Sequence, residues 1–336
     1  MSKRNRKGIL AFMLAAAVAV TSVFTGSPTQ VNAKDAAEVA AANDVRNLSA
    51  GEEGYAGYLF AYFTAKSLAI HFAVSADGYH YTALNGNKAV VTPKVGREAA
   101  RDPYIIKGQN GDYYMLATDL KGGDTKEELK PDGTHLWGAN TSIVTWHSKD
   151  LITWDNETLI DIRGEYESMS AANQARIWAP EAIWDPDKGQ YMVYWSTEGG
   201  TKYGDNLMIW YSYTTDFQTL TEEPKVLFNP GVTGLNLAPV GTNGSDCIDA
   251  DIIEHDGKYY MYYKWSGGSG AGIQVAVSDR LTGGYLPIGY DTEIGKTEQQ
   301  SPGELCGSAY VEGGDAYKLN DQEKWILIAD HTLSKF

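Results

Sequence analysis

The chain has 336 residues, of which 43 are acidic and 28 are basic, and its formal net charge is −15. A surface of this charge repels nucleic acids and anionic membranes, so a nucleic-acid-binding role is excluded. Hydrophobic residues make up 43% and aromatic residues 12% of the chain, which excludes a disordered protein. The 22 Tyr and 9 Trp residues suit a neutral sugar ligand, although in a β-rich protein most such rings fill the core.

The N-terminal segment has the layout of a secretory signal peptide. A basic stretch from Lys3 to Lys7 precedes an apolar run from Gly8 to about Phe24, and the small-residue triplet Val31-Asn32-Ala33 follows. The apolar run is shorter than the roughly 20 residues that span a bilayer, so cleavage after Ala33 is favoured over a membrane anchor. We therefore expect residues 1–33 to be a signal peptide, residues 34–54 a flexible lead-in, and the mature protein to be secreted, soluble and monomeric.

The sequence contains two cysteines, Cys247 and Cys306, which in an exported protein could form a disulfide or stay free. No group of Cys and His residues has metal-site spacing, and no glycine-rich loop has the spacing that cradles a phosphate. The sequence therefore predicts no metal site.

Two hairpin patterns alternate from Tyr55 onward. The first has a short apolar run, a polar turn and an aromatic-rich strand, and it starts at Asp102, Ala179, Asp249 and Gly314. The second has a strand that ends in Ser or Thr, then a turn and an aromatic residue, in segments 70–81, 142–154, 208–217 and 273–280. Two hairpins per unit make a four-stranded sheet, so the repeats predict an all-β propeller. Helical periodicity is nearly absent, and residues 165–175 could form one short helix or a loop.

The arrangement of the units predicts a β-propeller that is truncated at its C-terminus, within the fourth blade. The chain opens with what reads as the second half of a unit, from Tyr58 to Leu84, and it ends after the first half of a fourth unit. These halves do not complement each other, so we expect the last unit to lack outer strands and the first to lack its inner strand. A four-bladed ring with an unconventional closure is the alternative.

Acidic residues lie at the start of every predicted inner strand: Asp102, Glu181, Asp249 with Asp251, and Glu312. Inner strands line the axis of a propeller, so we expect these carboxylates to converge at one mouth, with Arg101 and Arg176 as counterions to two of them. Converging like charges raise one another's pKa. A protonated acid beside an ionised base is the arrangement that cleaves a glycosidic bond with two carboxylates.

Four short motifs fall in order at blade spacing: Arg101-Asp102-Pro103, Trp178-Ala179-Pro180-Glu181, Ile248-Asp249-Ala250-Asp251 and Glu312-Gly313-Gly314-Asp315-Ala316-Tyr317-Lys318. Together they resemble glycoside hydrolase family 43, the five-bladed propeller enzymes that act on arabinose- and xylose-containing polysaccharides. The likeness spans residues 55–336. It implies an incomplete catalytic domain, a polysaccharide or oligosaccharide substrate and no required cofactor.

The resemblance also implies a role for each matched position. Asp102 matches the general base that activates water, Glu312 the general acid that protonates the leaving oxygen, and Asp249 the residue that modulates the pKa of that acid. Trp178 and Glu181 fall where the family lines its sugar subsites, and Arg101 and Asp251 are further candidate substrate-binding residues. The family inverts the anomeric carbon, which requires base and acid to stand far enough apart to admit a water.

Several alternatives stay open. Gly-Gly-Asp-Ala follows Glu312 where the family has Gly-Pro and a bulky residue, and Asp251 lies on the same strand face as Asp249 and could take its role. A structural calcium ion would be compatible with the family but has no support in the sequence. Two other functions are a retaining fructan- or sucrose-cleaving propeller, whose early Asn-Asp-Pro motif does not precede Arg101, and a non-catalytic sugar-binding propeller. The choice between arabinan and xylan would depend on loops such as residues 121–140.

Overall fold

The computed structural model describes residues 57–122, 138–229, 246–266, 272–288, 304–306, 311–320 and 322–331. The predicted signal peptide and nearly all of the predicted lead-in lie outside the described residues, as does most of the insert at 121–140. Within the described ranges, the strands pair in antiparallel fashion into five sheets, which we call blades 1 to 5. The predicted all-β propeller is confirmed.

Each blade is built from strands that follow one another in the chain. Blade 1 contains β1 (Tyr58–Phe63), β2 (Ile70–Ser75) and β3 (Thr82–Ala83). Blade 2 contains β4 (Arg101–Lys107), β5 (Tyr113–Thr118), β6 (Ile143–Ser148) and β7 (Asp155–Ile160). Blade 3 contains β8 (Trp178–Asp185), β9 (Gln190–Gly199), β10 (Gly204–Thr214) and β11 (Lys225–Phe228). Blade 4 contains β12 (Cys247–His255), β13 (Lys258–Trp265), β14 (Gly272–Ser278), β15 (Leu286–Pro287) and β16 (Glu304–Cys306), and blade 5 contains β17 (Val311–Lys318) and β18 (Trp325–His331).

The helices of the described residues are single turns in the connections. Helix α1 (Ile162–Glu165) and a 3-10 turn (Glu167–Met169) lie between blades 2 and 3, next to the segment where the sequence left a short helix or a loop open. Helix α2 (Gly200–Tyr203) joins β9 to β10, and another 3-10 turn covers Leu84–Asn87. Among the described residues, no helix has the length and apolar character needed to cross a membrane.

The strands β4, β8, β12 and β17 contact one another in this order, which makes them the inner strands around the axis. Counted from Arg101, the hairpin β17–β18 is the fourth repeat, as the sequence predicted. Within the described residues, the segment from Tyr58 to Leu84 lacks an inner strand, as predicted. Tyr58 of β1 pairs with Ser75 as Tyr113 of the second strand β5 pairs with Ser148, and β1 packs beside β4 as β5 packs beside β8. Blade 1 is therefore a fifth sheet whose described strands correspond to the outer strands of the other blades.

The hydrophobic core consists of layers between neighbouring blades, as expected when sheets pack face to face. Phe72 of blade 1 lies in one cluster with Met115 and Trp146 of blade 2. Similar clusters join blade 2 to blade 3 and blade 3 to blade 4, and in the last of these Tyr194 and Trp265 are fully buried. Most of the tyrosine and tryptophan residues in these strands thus serve the core.

A recurring turn explains why the second sequence pattern repeats. In blade 2, the Asp150 carboxylate accepts hydrogen bonds from the backbone N–H groups of Ile152 (2.9 Å) and Thr153 (2.7 Å), while Ser148 Oγ accepts from Leu151 (2.8 Å). Asp77 and Asp216 make the same contacts in blades 1 and 3. The backbone hydrogen bonds lower the pKa of Asp150, since they favour its ionised form.

Tyrosines join blade 5 to blade 1. The Tyr317 hydroxyl donates to the carbonyl oxygen of Gly78 (2.6 Å) and accepts from the Tyr81 hydroxyl (3.3 Å), and the ring centroids of Tyr317 and Tyr58 are 5.5 Å apart. The backbone N–H of Asn320 also donates to the Tyr58 hydroxyl. The last described hairpin is thereby held against the first sheet by side chains.

We expect Tyr317→Phe to lower the free energy of unfolding by about 1–2 kcal/mol, because the carbonyl of Gly78 and the hydroxyl of Tyr81 would lose their partner. Urea unfolding followed by tryptophan fluorescence measures this loss. Tyr79→Phe is the matched control, since Tyr79 is 54% exposed, and it should change the free energy by less than about 0.5 kcal/mol. Equal stabilities for the two variants would mean that the contact between blades 5 and 1 contributes nothing in solution.

Candidate active site

The inner strands of blades 2 to 5 share an irregularity near their first residues. The register with the second strand shifts between Arg101 and Tyr104, Trp178 and Glu181, Ile248 and Asp251, and Glu312 and Asp315. A shift of this kind is a β-bulge, which bends a strand and redirects its side chains, and bulges are common beside active sites. We call the end of the propeller where these bulges lie the mouth.

One residue in each bulge has a positive φ angle. These are Asp102 (49°), Ala179 (45°), Asp249 (52°) and Gly313 (60°). Glycine adopts this conformation freely and Asp tolerates it, whereas for Ala it costs of order 1 kcal/mol or more. The repeated conformation gives Asp102 and Asp249 equivalent places in their blades, while Glu312 lies one residue earlier, level with Arg101 and Trp178.

Relative to the bulges, the acids at the strand starts lie at three levels. Asp102 and Asp249 lie in the bulge, Glu312 directly precedes it, and Glu181 and Asp251 follow it. The levels differ because each bulge inserts an unpaired residue into its inner strand. The spacing of acids in the sequence does not reveal this insertion.

The bulges are fixed by side chains from the preceding blade. Thr118 Oγ1, on the second strand of blade 2, accepts from the backbone N–H of Ala179 (2.8 Å) and donates to Asp102 Oδ2 (2.8 Å). In blade 3, Ser196 Oγ accepts from the backbone N–H of Asp249 (3.0 Å). These contacts satisfy N–H groups that the bulge removes from the strand ladder, and they hold the strained conformation in place.

The groups around Asp102 shift its pKa in opposite directions. The side chain is exposed to solvent, yet enough protein surrounds the carboxylate that desolvation raises its pKa, and the charges of Asp330 and Glu312 raise it further. The Arg101 guanidinium and the Thr118 hydroxyl act in the opposite sense. Arg101 itself lies over the Phe63 ring, 4.9 Å from its centroid. Among the acids at the mouth, Asp102 is thus the one with both a cation and a hydroxyl favouring its ionised form.

The surroundings of Asp249 favour its neutral form. Desolvation and the charges of Asp102 and Glu312 raise the pKa of Asp249 to about 8, although a backbone hydrogen bond from Gly313 (3.3 Å) and the Lys264 charge oppose the shift. At neutral pH this shift favours the protonated form of the Asp249 carboxyl. Because Gly313 follows Glu312 directly, this hydrogen bond ties Asp249 to the strand segment that carries Glu312.

A second group of acids lies one step deeper along the strands, after the bulges. Tyr104, Glu181, Asp251 and Asp315 occupy equivalent positions in blades 2 to 5. Desolvation raises the pKa of Glu181 and of Asp251, and the charges of neighbouring acids raise both values further. Asp251, predicted as a rival of Asp249, is 3% exposed and interacts with Asp315 rather than with Asp102.

These deeper acids also link the blades. The Tyr194 hydroxyl donates to Glu181 Oε2 (2.9 Å) and accepts from the backbone N–H of Ile252 (3.0 Å), and Asp251 Oδ2 accepts from the backbone N–H of Ala316 (2.8 Å). Blades 3, 4 and 5 are thereby connected around the axis, and the carboxyls are hydrogen-bonded as buried polar groups require.

Trp178 lies at the mouth, level with Glu312. Its indole N–H donates to the carbonyl oxygen of Gly138 (2.7 Å), whose φ of 77° and close approach to the ring leave no room for a side chain. Arg176 lies 5.1 Å from the Trp178 ring centroid and forms its ion pair with Glu198 (3.0 Å). These contacts of Arg176 help to hold Trp178 and the approach to β8.

Cys247 is buried and free of any disulfide. Within the described ranges, no group of three or more His, Cys, Asp or Glu side chains is arranged to hold a metal ion.

Sequence reasoning missed the polar residues on the second strands, namely Thr118, Ser196, Lys264 and Asp330. They lie opposite Arg101, Trp178, Ile248 and Glu312 in the four repeats. The signal that could have found them is a polar residue at the end of each otherwise apolar, aromatic-rich second strand.

Comparison with known proteins agrees with this architecture. Residues 53–335 match a family model of glycoside hydrolase family 43-related proteins described as "Probable glycosyl hydrolase domain". An α-L-arabinofuranosidase of Bifidobacterium longum subsp. longum is 26% identical over 284 residues, which are 76% of this chain and 24% of that protein. The chain thus spans about a quarter of the length of that relative.

Solved structures show the same fold. An exo-1,5-α-L-arabinanase from a bovine ruminal metagenomic library has a TM-score of 0.51 at 20% identity, over 84% of this chain and 85% of that one. A thermostable family-43 glycoside hydrolase has a TM-score of 0.52 at 13% identity, over 81% and 79% of the two chains. Because the family model covers most of the sequence, the chain belongs to the glycoside hydrolase family 43-related group of probable glycosyl hydrolase domains.

Proposed function

We propose that the enzyme is exported and cleaves arabinose- or xylose-containing polysaccharides or oligosaccharides with inversion at the anomeric carbon. In this mechanism Asp102 is the general base, Glu312 the general acid and Asp249 the residue that tunes Glu312. The observation that carries the assignment is the bulge register. It gives Asp102 and Asp249 equivalent places at the mouth and ties Asp249 to the residue after Glu312 by a hydrogen bond.

The electrostatics support this division of roles. A general base must be ionised, and Arg101 and Thr118 both favour the charged form of Asp102. The pKa of Asp249 is raised to about 8, which favours its neutral form and adds no further negative charge beside Asp102. Water would give a proton to Asp102 as its oxygen attacks the anomeric carbon, and Glu312 would give its proton to the leaving oxygen.

The substrate class rests on the comparisons as well as on the site. The relative over this region is an arabinofuranosidase, and a neighbour in fold is an arabinanase. A mouth with Trp178 beside several carboxylates offers an aromatic face and hydrogen-bond acceptors, which a sugar uses together. Trp178 and Arg101 are accordingly proposed to bind substrate, and Glu181 and Asp251 to support the site from below.

Hydrolysis of p-nitrophenyl α-L-arabinofuranoside, p-nitrophenyl β-D-xyloside and linear arabinan by the purified protein tests the proposal. Release of sugar from at least one of the three is expected, and proton NMR of the first product formed should show the inverted anomer. A folded protein that releases nothing from all three would overturn the substrate class, and a retained anomer would overturn the assignment of Asp102 as a base.

We expect Asp249→Asn to keep at least about ten times more kcat/KM at pH 6 than Asp249→Ala. The Asn side chain resembles the protonated carboxyl and can accept the hydrogen bond from Gly313, which Ala cannot. In the unsubstituted enzyme the pH profile should change near pH 8, where Asp249 loses its proton, and this change should be absent from Asp249→Asn. Equal losses in the two variants would show that Asp249 acts as a carboxylate.

A further inference from the structure

The second strands of blades 2 to 4 each present one polar side chain to the following blade. Thr118, Ser196 and Lys264 occupy this position, opposite the inner-strand residue that precedes the bulge. Thr118 and Ser196 accept hydrogen bonds from bulge N–H groups of the next blade. Lys264 Nζ instead donates to the carbonyl oxygen of Val311 in blade 5 (2.6 Å). Lys264 therefore holds the strand that carries Glu312, the proposed general acid.

Two hydrogen bonds to side chains of blade 4 fix the backbone on either side of Glu312. The Val311 carbonyl belongs to the peptide unit before Glu312 and accepts from Lys264. The Gly313 N–H belongs to the peptide unit after Glu312 and donates to Asp249 Oδ2 (3.3 Å). Because peptide units are planar, holding both of them fixes the two backbone dihedral angles of Glu312 and the direction of its Cα–Cβ bond.

The charge of Lys264 lies inside the protein. Lys264 is 4% exposed, and a lysine is almost never buried to this extent unless its charge is compensated. The acids at the mouth offer that compensation. Burial and the charges of Asp102 and Glu312 raise the pKa of Asp249, and the charge of Lys264 opposes this rise. One ammonium group thus acts on Asp249 by its charge and on the residue before Glu312 by its hydrogen bond.

We propose that Lys264 is a positioning residue, whose ammonium group holds the Val311 carbonyl and thereby directs the Glu312 carboxyl toward the leaving oxygen of the substrate. The inference rests on the proposed function, in which Glu312 is the general acid. A proton donor must lie within hydrogen-bond reach of the oxygen that it protonates, and a displacement of about 1 Å can cost about 100-fold in rate. Loss of Lys264 should therefore slow protonation of the leaving group although the acid itself is still present.

The test compares Lys264→Met and Lys264→Gln with the unsubstituted enzyme on two substrates of the same sugar. The nitrophenolate of a p-nitrophenyl glycoside is a weak base that leaves with little help from an acid, whereas an arabino- or xylo-oligosaccharide needs its leaving oxygen protonated. We expect kcat for the oligosaccharide to fall by about 10- to 100-fold in Lys264→Met, and kcat for the p-nitrophenyl glycoside to fall by a factor at least about five times smaller. Lys264→Gln keeps an N–H donor and should lose less on the oligosaccharide.

The pH profile gives a second measurement. The positive charge of Lys264 lowers the pKa of Asp249, so its removal in either variant should move the change expected near pH 8 to higher pH. A merely structural role would reduce the amount of folded enzyme, but it would neither move this change nor affect the two substrates differently.

Lys258→Met is the matched control, because Lys258 lies at the opposite end of the same strand, is exposed and pairs with Asp279 (3.2 Å). It should leave kcat for both substrates and the pH profile unchanged.

The outcomes separate this inference from the proposed function. Equal losses on the two substrates, or a change that stays near pH 8 in both variants, would overturn the role of Lys264 and leave the proposed function standing. If Lys264→Met does not fold, the same two measurements on Lys264→Gln decide, since its amide can still donate to the Val311 carbonyl. An unsubstituted enzyme that hydrolyses neither substrate would overturn both proposals.

Discussion

Replacing Asp102 with Asn is expected to lower kcat by about 10³-fold, within the range by which a positioned general base accelerates proton transfer. The amide cannot accept a proton from the attacking water. It keeps the size of the carboxylate, and its oxygen can accept the hydrogen bond from Thr118 that Asp102 Oδ2 accepts at 2.8 Å. The fold and the binding of substrate should therefore persist. The measurements are kcat on a p-nitrophenyl glycoside and calorimetric affinity for an oligosaccharide of the same sugar.

Asp187→Asn serves as the control, since Asp187 is exposed in the turn between β8 and β9, at the far end of β8 from the mouth. It should keep both activity and affinity. Asp102→Asn with more than about a tenth of the original kcat would contradict the role of Asp102 as the base. A protein that binds the sugar equally well before and after the substitution, and turns over in neither form, would instead be a sugar-binding propeller.

The sequence predicted the propeller because the interactions that form each hairpin join residues that are close in sequence. Period-two apolar strands and polar turns such as Ser148 to Thr153 recur with their hydrogen bonds intact, so each hairpin could be found in isolation. The assignment of Tyr58 to Leu84 as the second half of a unit depended on the same local pattern. Strand β2 ends in Ser75 and is followed by Asp77, as β6 ends in Ser148 and is followed by Asp150, so β1 corresponds to the second strand β5.

The sequence predicted which acids the candidate site contains, but not the levels at which they lie along the inner strands. Asp102, Asp249 and Glu312 stand out as acids at strand starts, yet a bulge changes which residues lie side by side without changing the count of acids. Aligning the dipeptides Asp102-Pro103, Ala179-Pro180, Asp249-Ala250 and Gly313-Gly314 would have revealed the shared positive φ position. The contributions of Thr118 and Ser196 depend on contacts between strands that are far apart in sequence, and these contacts require the ring to be assembled.

We expect the free energy of unfolding to fall as the pH rises, because acidic side chains are buried close together. Desolvation raises the pKa of Asp249 to about 8 and that of Asp119 to about 6, and it also raises the pKa of Glu181 and Asp251. In the unfolded chain, Asp and Glu titrate near pH 4. Between about pH 4 and 8 the folded protein therefore binds more protons than the unfolded chain, so the free energy of unfolding falls with increasing pH.

Other groups limit this trend on the acidic side. The pKa values of Asp77 and Asp150 are lowered by hydrogen bonds in their turns, so their stabilisation is complete above about pH 4 and is lost below it. His147 acts in the same direction as the buried acids. Its hydrogen bond to Asp112 (2.9 Å), and then that to Asp155 (2.7 Å), raise its pKa, so its contribution is lost as pH rises through the folded value. Maximum stability should lie near pH 4 to 5.

Thermal unfolding between pH 3 and 8 measures the profile, and we expect the Tm to fall by at least about 5 °C from pH 5 to pH 8. Asp119→Asn isolates one contribution, because Asp119 is 4% exposed and an amide oxygen can still accept the hydrogen bond from the Arg97 N–H (2.7 Å). A shift from 3.8 to about 6 corresponds to about 3 kcal/mol, so this variant should gain up to that amount at pH 7 relative to its change at pH 4.

Asp150→Asn should show the opposite pattern, with a loss of stability at pH 7 that becomes smaller as the pH falls below about 4, because its carboxylate is stabilised by the turn only when ionised. Stability that rises from pH 5 to pH 8, or an Asp119→Asn variant with the same pH profile as the unsubstituted protein, would show that the buried carboxyls are ionised in the folded state. In that case Asp249 would also carry a negative charge at neutral pH, and its assignment as the neutral neighbour of Glu312 would have to be abandoned.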